Sequence, residues 1–192
     1  MDNFLWYLLA AVAAVLLFLI SIYNSLVRKK AHVENGLSQI DVQLKRRYDL
    51  IPNLVETVKA YAAHERRIFE RIAALRSASL SASTLEETAP IENQLTGALK
   101  SLLAVSENYP ELKADRNFLS LQEELASTEN KIAFARQYYN DAVREYNIAI
   151  SVFPNNMLSA RLGYGPRPLW TVEDAAERET VSVSFGEGHG KL

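Results

Sequence analysis

The sequence predicts an all-α protein: an N-terminal transmembrane helix continuing into an elongated antiparallel helical bundle of three to four helices. Three observations predict it. Residues 3–27 carry no charged side chain. Two long stretches of the remainder repeat apolar residues at alternating spacings of three and four. Gly (7) and Pro (6) are too few among 192 residues for the many turns of a β-sandwich. The chain divides into an anchor over 1–27, a helical body over 28–154, and a tail over 155–192 that is partly extended or disordered.

The anchor is the run Phe4 to Ile22, FLWYLLAAVAAVLLFLISI. A helix rising 1.5 Å per residue makes this long enough for a hydrocarbon core of about 30 Å. Phe4, Trp6 and Tyr7 stand at one end and Ile22 and Tyr23 at the other, with the aromatics placed as interfacial anchors. A cleaved signal peptide is the rival reading, since Ala11-Val12-Ala13 fits the small-x-small pattern. Against it stand the absence of a basic leader and an apolar run that continues well past that site. Arg28, Lys29 and Lys30 follow the span, whereas only Asp2 precedes it. The positive-inside rule then places the N-terminus outside and the body in the cytoplasm, as a single-pass protein of a bacterial inner membrane.

The first body helix carries a seam of Val33, Leu37, Ile40, Leu44, Arg47, Ile51, Leu54, Val58, Tyr61, Glu65, Ile68, Ile72 and Leu75. Pro52 lies inside it and removes one hydrogen bond. The unbroken phase favours one long helix kinked at Pro52. The alternative is a break, with Asp49 as N-cap and Pro52 in the first turn of a new helix. Ser77 to Ala89, rich in Ser, Ala and Thr, is expected to be a loop. A shorter helix follows on Ile91, Leu95, Ala98, Leu102 and Val105, ended by Asn108-Tyr109-Pro110. Asp115 is expected to cap the last helix, whose seam runs from Phe118 through Leu125, Ile132, Tyr139 and Tyr146 to Phe153. Beyond it, Val181 to Phe185 alternates as an edge strand would, and the Gly186-to-Gly190 end is expected to be disordered. Rods of about 72 Å (31–78) and 58 Å (115–153) match best as an antiparallel hairpin that returns Phe153 toward the membrane.

Composition excludes several functions. The chain has no cysteine, which rules out disulfides, thiol nucleophiles, Cys-ligated metals and a lipid-modified N-terminal Cys. Three histidines, His32, His64 and His189, show no metal-ligand spacing, and no helix follows Gly186-x-Gly188-x-Gly190 to hold a phosphate. Neither a catalytic constellation nor a cofactor or metal site is indicated. A net charge of −2 argues against nucleic acid. The charge is uneven, however: residues 28–78 sum to +5 and residues 79–192 to −6. Complementary helices packing within one copy, or between copies, produce such a pattern.

The most unusual stretch is 39–54, where Asp41, Lys45, Arg46, Arg47 and Asp49 crowd into nine residues and Arg47 falls on the apolar seam. Arg47 and Glu65 are the two in-seam charges. In-seam charges cost stability unless paired, and the stretch 39–54 is either a kink with Arg47 bridging to an acceptor across the bundle or a recognition surface for another copy or for lipid headgroups. Tyr139-Asn140 and Tyr146-Asn147 repeat one heptad apart, with polar groups to satisfy inside the bundle or against a partner.

The stretches QIDVQLKRRYDLIPNLVETVKAYAAHE (39–65), NFLSLQEELASTENKIAFAR (117–136) and YYNDAVREYNIAISVFP (138–154) carry a resemblance to a known family. From about Tyr23 to Pro154 the chain resembles the LemA family of bacterial membrane-anchored proteins. The resemblance implies one N-terminal anchor and a helical bundle, and no catalytic residues. It further implies a link to intracellular membrane building, through a relative in magnetosome-forming bacteria, and to membrane-protein quality control. Many members carry a lipobox cysteine where this chain has a plain anchor. The leading expectation is a non-enzymatic scaffold that touches membrane lipids, self-associates and shapes or supports the bilayer. The alternative is an adaptor for a membrane protease or sensor.

Overall fold

The structure, a computed structural model, describes residues 2–171. Among these every regular element is helical: α1 (Asp2–Lys59), α2 (Arg66–Ser81), α3 (Leu85–Ser106), α4 (Pro110–Lys113), α5 (Arg116–Ser151) and α6 (Asn155–Arg161). The alternation at 181–185 and the glycine-rich end lie outside the described residues.

α1 is a single helix of 58 residues, about 87 Å long. It passes from the apolar run into the body without interruption, and through Pro52 without a break at Asp49. It does not run on to residue 78 as the seam suggested. The chain leaves the helix after Lys59 and turns over residues 60–65, with Tyr61 and Ala62 N–H groups both donating to Val58 O. Glu65 therefore sits at the N-cap of α2, half-exposed in the corner, rather than within a continuous seam. α2 carries a seam of its own on Phe69 and Ile72, so that burial falls on Ala62 and Phe69 rather than on the neighbouring seam positions Tyr61 and Ile68.

A second correction concerns Ser77 to Ala89. α2 extends to Ser81 and α3 begins at Leu85, leaving only a tight corner. Thr84 caps α3 by accepting from Glu87 N–H at 3.3 Å, and the Glu87 carboxylate accepts from Ser83 N–H at 3.0 Å. This is a variant of the reciprocal N-terminal box. Asp115 caps α5 as expected, accepting from Phe118 N–H at 2.9 Å.

α5 lies antiparallel along α1. Tyr61 pairs with Asp115 at the distal end, Arg46 with Glu124 midway, and Lys29 with Glu145 near the apolar run. The α2–α3 hairpin leans on the distal half of this pair, making a four-helix core that includes Leu44, Ile51, Ile72, Leu95, Leu102 and Ile132. The proximal half has no such cover. There α1 and α5 approach closely at Gly36, where an added Cβ would lie 3.0 Å from Tyr139 Cα. The α5 seam is buried from Phe118 to Ala149, but Phe153 has left the helix and is exposed.

Candidate functional site

Arg47 occupies the centre of the four-helix core and is fully buried. It forms an ion pair with Glu92 of α3, which is also fully buried. Its Nη1 donates to Glu129 Oε1 of α5 at 2.7 Å and to Thr96 Oγ1 of α3 at 2.9 Å. The Tyr48 hydroxyl donates to the other Glu92 oxygen, and burial pushes that phenol up from its ordinary value. Arg136 stands nearby on α5, its guanidinium 4.8 Å from the Trp170 ring. Burial lowers Arg136 to about 10, the positive Arg47 adds to the effect, and Glu129 opposes it. Arg136 thus remains cationic at neutral pH. Arg47 pairs with both glutamates in this cluster, which ties α1, α3 and α5 at a fixed register.

α2 joins the cluster through Pro52. A proline within a helix leaves the carbonyl four residues earlier without its donor. Here that carbonyl is Tyr48 O, and Arg76 Nε of α2 donates to it at 2.9 Å.

The repeated Tyr-Asn pairs do something the sequence left open. Asn147 donates to Arg167 O and accepts from Arg167 N–H, both at 2.9 Å. Asn140 treats Trp170 the same way, at 3.0 and 2.8 Å. The Tyr139 and Tyr146 hydroxyls donate to Pro168 O and Gly165 O. The segment after α6 is thereby held through its backbone along the proximal half of α5. It stands where the α2–α3 hairpin does not reach, and Trp170 is buried at the hairpin's foot.

The remaining residues singled out in the sequence are spread along α1. Phe4, Trp6 and Tyr7 are exposed, as is Tyr23, whereas Ile22 is buried. Asn3 begins a helix long and apolar enough to cross a membrane, with mean hydropathy 2.6 over its most apolar window. Arg28 donates to Asn24 O, Lys29 pairs with Glu145 at 3.1 Å and Lys30 with Glu34 at 3.7 Å. Arg46 pairs with Glu124 at 2.7 Å. Asp41, Lys45 and Asp49 are exposed on α1; partial burial nevertheless pushes the Asp41 carboxyl above its ordinary value, and its charge adds to the rise at Tyr48. Lys29, Arg46 and Arg47 of the first half thus find acidic partners in the second half within one copy. On the uncovered face between α1 and α5 lies a shallow groove of about 610 Å³, lined by Asn35, Gln39, Val42, Lys131, Phe134 and Tyr138. Phe134 is 71% exposed there. No cluster of metal-binding side chains occurs among the described residues.

Comparisons with known proteins agree with this architecture. The chain is 27% identical over 168 residues to Protein LemA of Metamycoplasma hominis, which covers 85% of this chain and 74% of that protein. It is 27% identical over 180 residues to Magnetosome protein MamQ 2 of Paramagnetospirillum magneticum, covering 80% of this chain and 66% of the relative. Against Magnetosome protein MamQ of Magnetospirillum gryphiswaldense the identity is 24% over 168 residues, covering 74% and 62%. The chain spans slightly under two thirds of the length of these MamQ proteins. The LemA family profile matches residues 36–185, which contain the Arg47 cluster, the Tyr-Asn repeat and the clamped segment, and the chain belongs to the LemA family.

Proposed function

We propose that this protein is a non-enzymatic, membrane-anchored helical scaffold that self-associates at the bacterial inner membrane and shapes or supports the bilayer. The carrying observation is the continuity of α1, which leads from an apolar run into a four-helix core with no joint between them. An anchor without a joint transmits the tilt of the body to the lipid. The Arg47–Glu92–Glu129 cluster stiffens the body at mid-height, with both carboxylates paired to Arg47. The open groove beside Phe134 and Val42 offers a side surface for another copy. Kinship with MamQ magnetosome proteins supports work at a membrane. Arg28, Lys29 and Lys30 favour a cytoplasmic body with the N-terminus outside.

The test is native mass measurement of the full-length protein in nanodiscs and electron microscopy in vesicles. One large homogeneous species with regular arrays or remodelled vesicles is expected. Dispersed monomers on undeformed vesicles would remove the scaffold reading. A monomer that co-purifies with a membrane protease or sensor would put the adaptor in its place. Protease added to intact spheroplasts should leave the body uncut.

A further inference from the structure

The register of α1 against α5 fixes a depth. Lys29 meets Glu145 at 3.1 Å, and the two helices are antiparallel. Moving six residues along each, about 9 Å, brings Ser151 at the end of α5 level with Tyr23, beside the last turn of the apolar run. The corner after Ser151 therefore stands at or beyond that level. α6 touches α1 there, and Ile22 and Leu26 are buried in the same core cluster as Ile150.

Two features of this end distinguish it from the rest of the surface. Its apolar side chains face outward: Phe153 is 78% exposed and Met157 65%, with Val152 and Leu162 exposed beside them. It also carries more cations than acids, although Lys29 and Lys30 are paired with Glu145 and Glu34. Residues 146–171 contain no Asp or Glu, nor do residues 3–33, while Arg28, Lys29, Lys30, Arg161 and Arg167 are all present. Exposed apolar groups beside cations, at the level where the apolar run ends, match an interface of acyl chains and anionic headgroups.

We propose that the corner from Val152 to Leu162 is a second membrane-contact element. Phe153 and Met157 enter the headgroup–acyl boundary of the bilayer that α1 spans, and Arg161 and Arg167 meet lipid phosphates. The proposal rests on the reading of α1 as a membrane span. Its consequence is mechanical. A single helical anchor lets the body tilt with any of its faces toward the bilayer, whereas a second contact on one side of it sets the tilt and which face of the body turns toward the lipid.

The chain has no cysteine, so single spin labels can be placed without background. Four full-length variants suffice: Val15→Cys in the span, Phe153→Cys and Met157→Cys at the corner, and Leu119→Cys at the distal end, all exposed positions. Each is reconstituted at one copy per nanodisc in mixed phosphatidylcholine and phosphatidylglycerol. Collisional relaxation is then read with oxygen and with a water-soluble nickel chelate. Labels at 153 and 157 are expected to favour oxygen over nickel, as at 15, while 119 favours nickel by several-fold. Adding Arg161→Glu and Arg167→Glu should move label 153 toward the nickel-accessible side. Labels at 153 and 157 behaving like 119 while 15 stays shielded would overturn the second contact and leave the span intact. Nickel access at 15 would overturn the span and the inference with it. Shielding at 153 that appears only with two copies per disc would assign the corner to another copy and overturn the proposal.

Discussion

At the scale of residues, Arg47 decides most. Its place on an apolar seam was legible in the sequence, because a charge at a heptad core position must find a partner. Which partner was not legible, since seam spacing within one helix says nothing of the register of α3. Glu92 is fully buried, so Arg47→Leu leaves an uncompensated carboxylate and should cost about 3–5 kcal/mol. Adding Glu92→Gln removes that charge while keeping an acceptor for the Tyr48 hydroxyl, and should restore more than half of the loss. Circular dichroism melts of the detergent-solubilised full-length protein measure both. An Arg47→Leu variant as stable as the parent would show that Glu92 carries no charge to compensate. Pro52 gives a companion case. An interior proline costs a helix about 3 kcal/mol, and α1 nevertheless stays continuous. The Arg76 bond to Tyr48 O supplies the missing donor. Arg76→Leu should therefore cost about 1–3 kcal/mol by orphaning that carbonyl. In a Pro52→Ala background, where the helix again supplies its own donor, the same substitution should cost clearly less. Equal costs in the two backgrounds would disconnect Arg76 from the proline.

At the scale of elements, seam periodicity located the long helices and failed at their ends, for identifiable reasons. The turn at 60–65 contains neither Gly nor Pro, and apolar residues at Tyr61, Ile68 and Ile72 continue the spacing in the sequence, so the pattern passes over it unmarked. The stretch 77–89 suggested a loop through its Ser, Ala and Thr content, but its first part continues α2, where the Ser81 hydroxyl turns back on Ser77 O at 3.0 Å. A signal for the following corner was present in Thr84-x-x-Glu87 before an apolar run. The asparagine clamp left only its spacing in the sequence, since backbone recognition is indifferent to the side chains it holds. Two helix glycines separate packing from propensity. Gly36 faces the Tyr139 backbone at 3.0 Å from an ideal Cβ, and the rigid α5 cannot give way. Gly36→Ala should destabilise by about 1–3 kcal/mol despite its better helix propensity. Gly97 has nothing within 4 Å, so Gly97→Ala should stabilise by up to about 1 kcal/mol. Thermal melts that moved in the same direction for both would mean that the α1–α5 contact at Gly36 is looser than the structure has it.

At the scale of the whole molecule, the question is which surface two copies would share. The opposite charges of the two halves of the chain suggested side-by-side packing of rods about 72 Å long. The structure shortens the rod, because the chain turns back after Lys59. It also draws the main charged pairs inward: Lys29 to Glu145, Arg46 to Glu124, and Arg47 to Glu92 and Glu129. Reversing Arg47 would therefore break one copy rather than a contact between copies, and reversing Arg46 would lose an exposed pair within one copy. The groove beside Phe134 and Val42 is different. Both side chains are largely exposed, and neither contributes to the core cluster. Phe134→Arg should leave the melting temperature within about 2 °C of the parent, as surface substitutions do. In the scaffold reading it should also collapse the large nanodisc species to smaller ones. Because the contact is mainly apolar, parent assemblies should persist when salt rises from about 0.1 to 1 M, although exposed ion pairs are then screened within about 3 Å. Assemblies that dissolve in salt but tolerate Phe134→Arg would shift the contact to exposed charges such as Lys45 and Asp49 on α1.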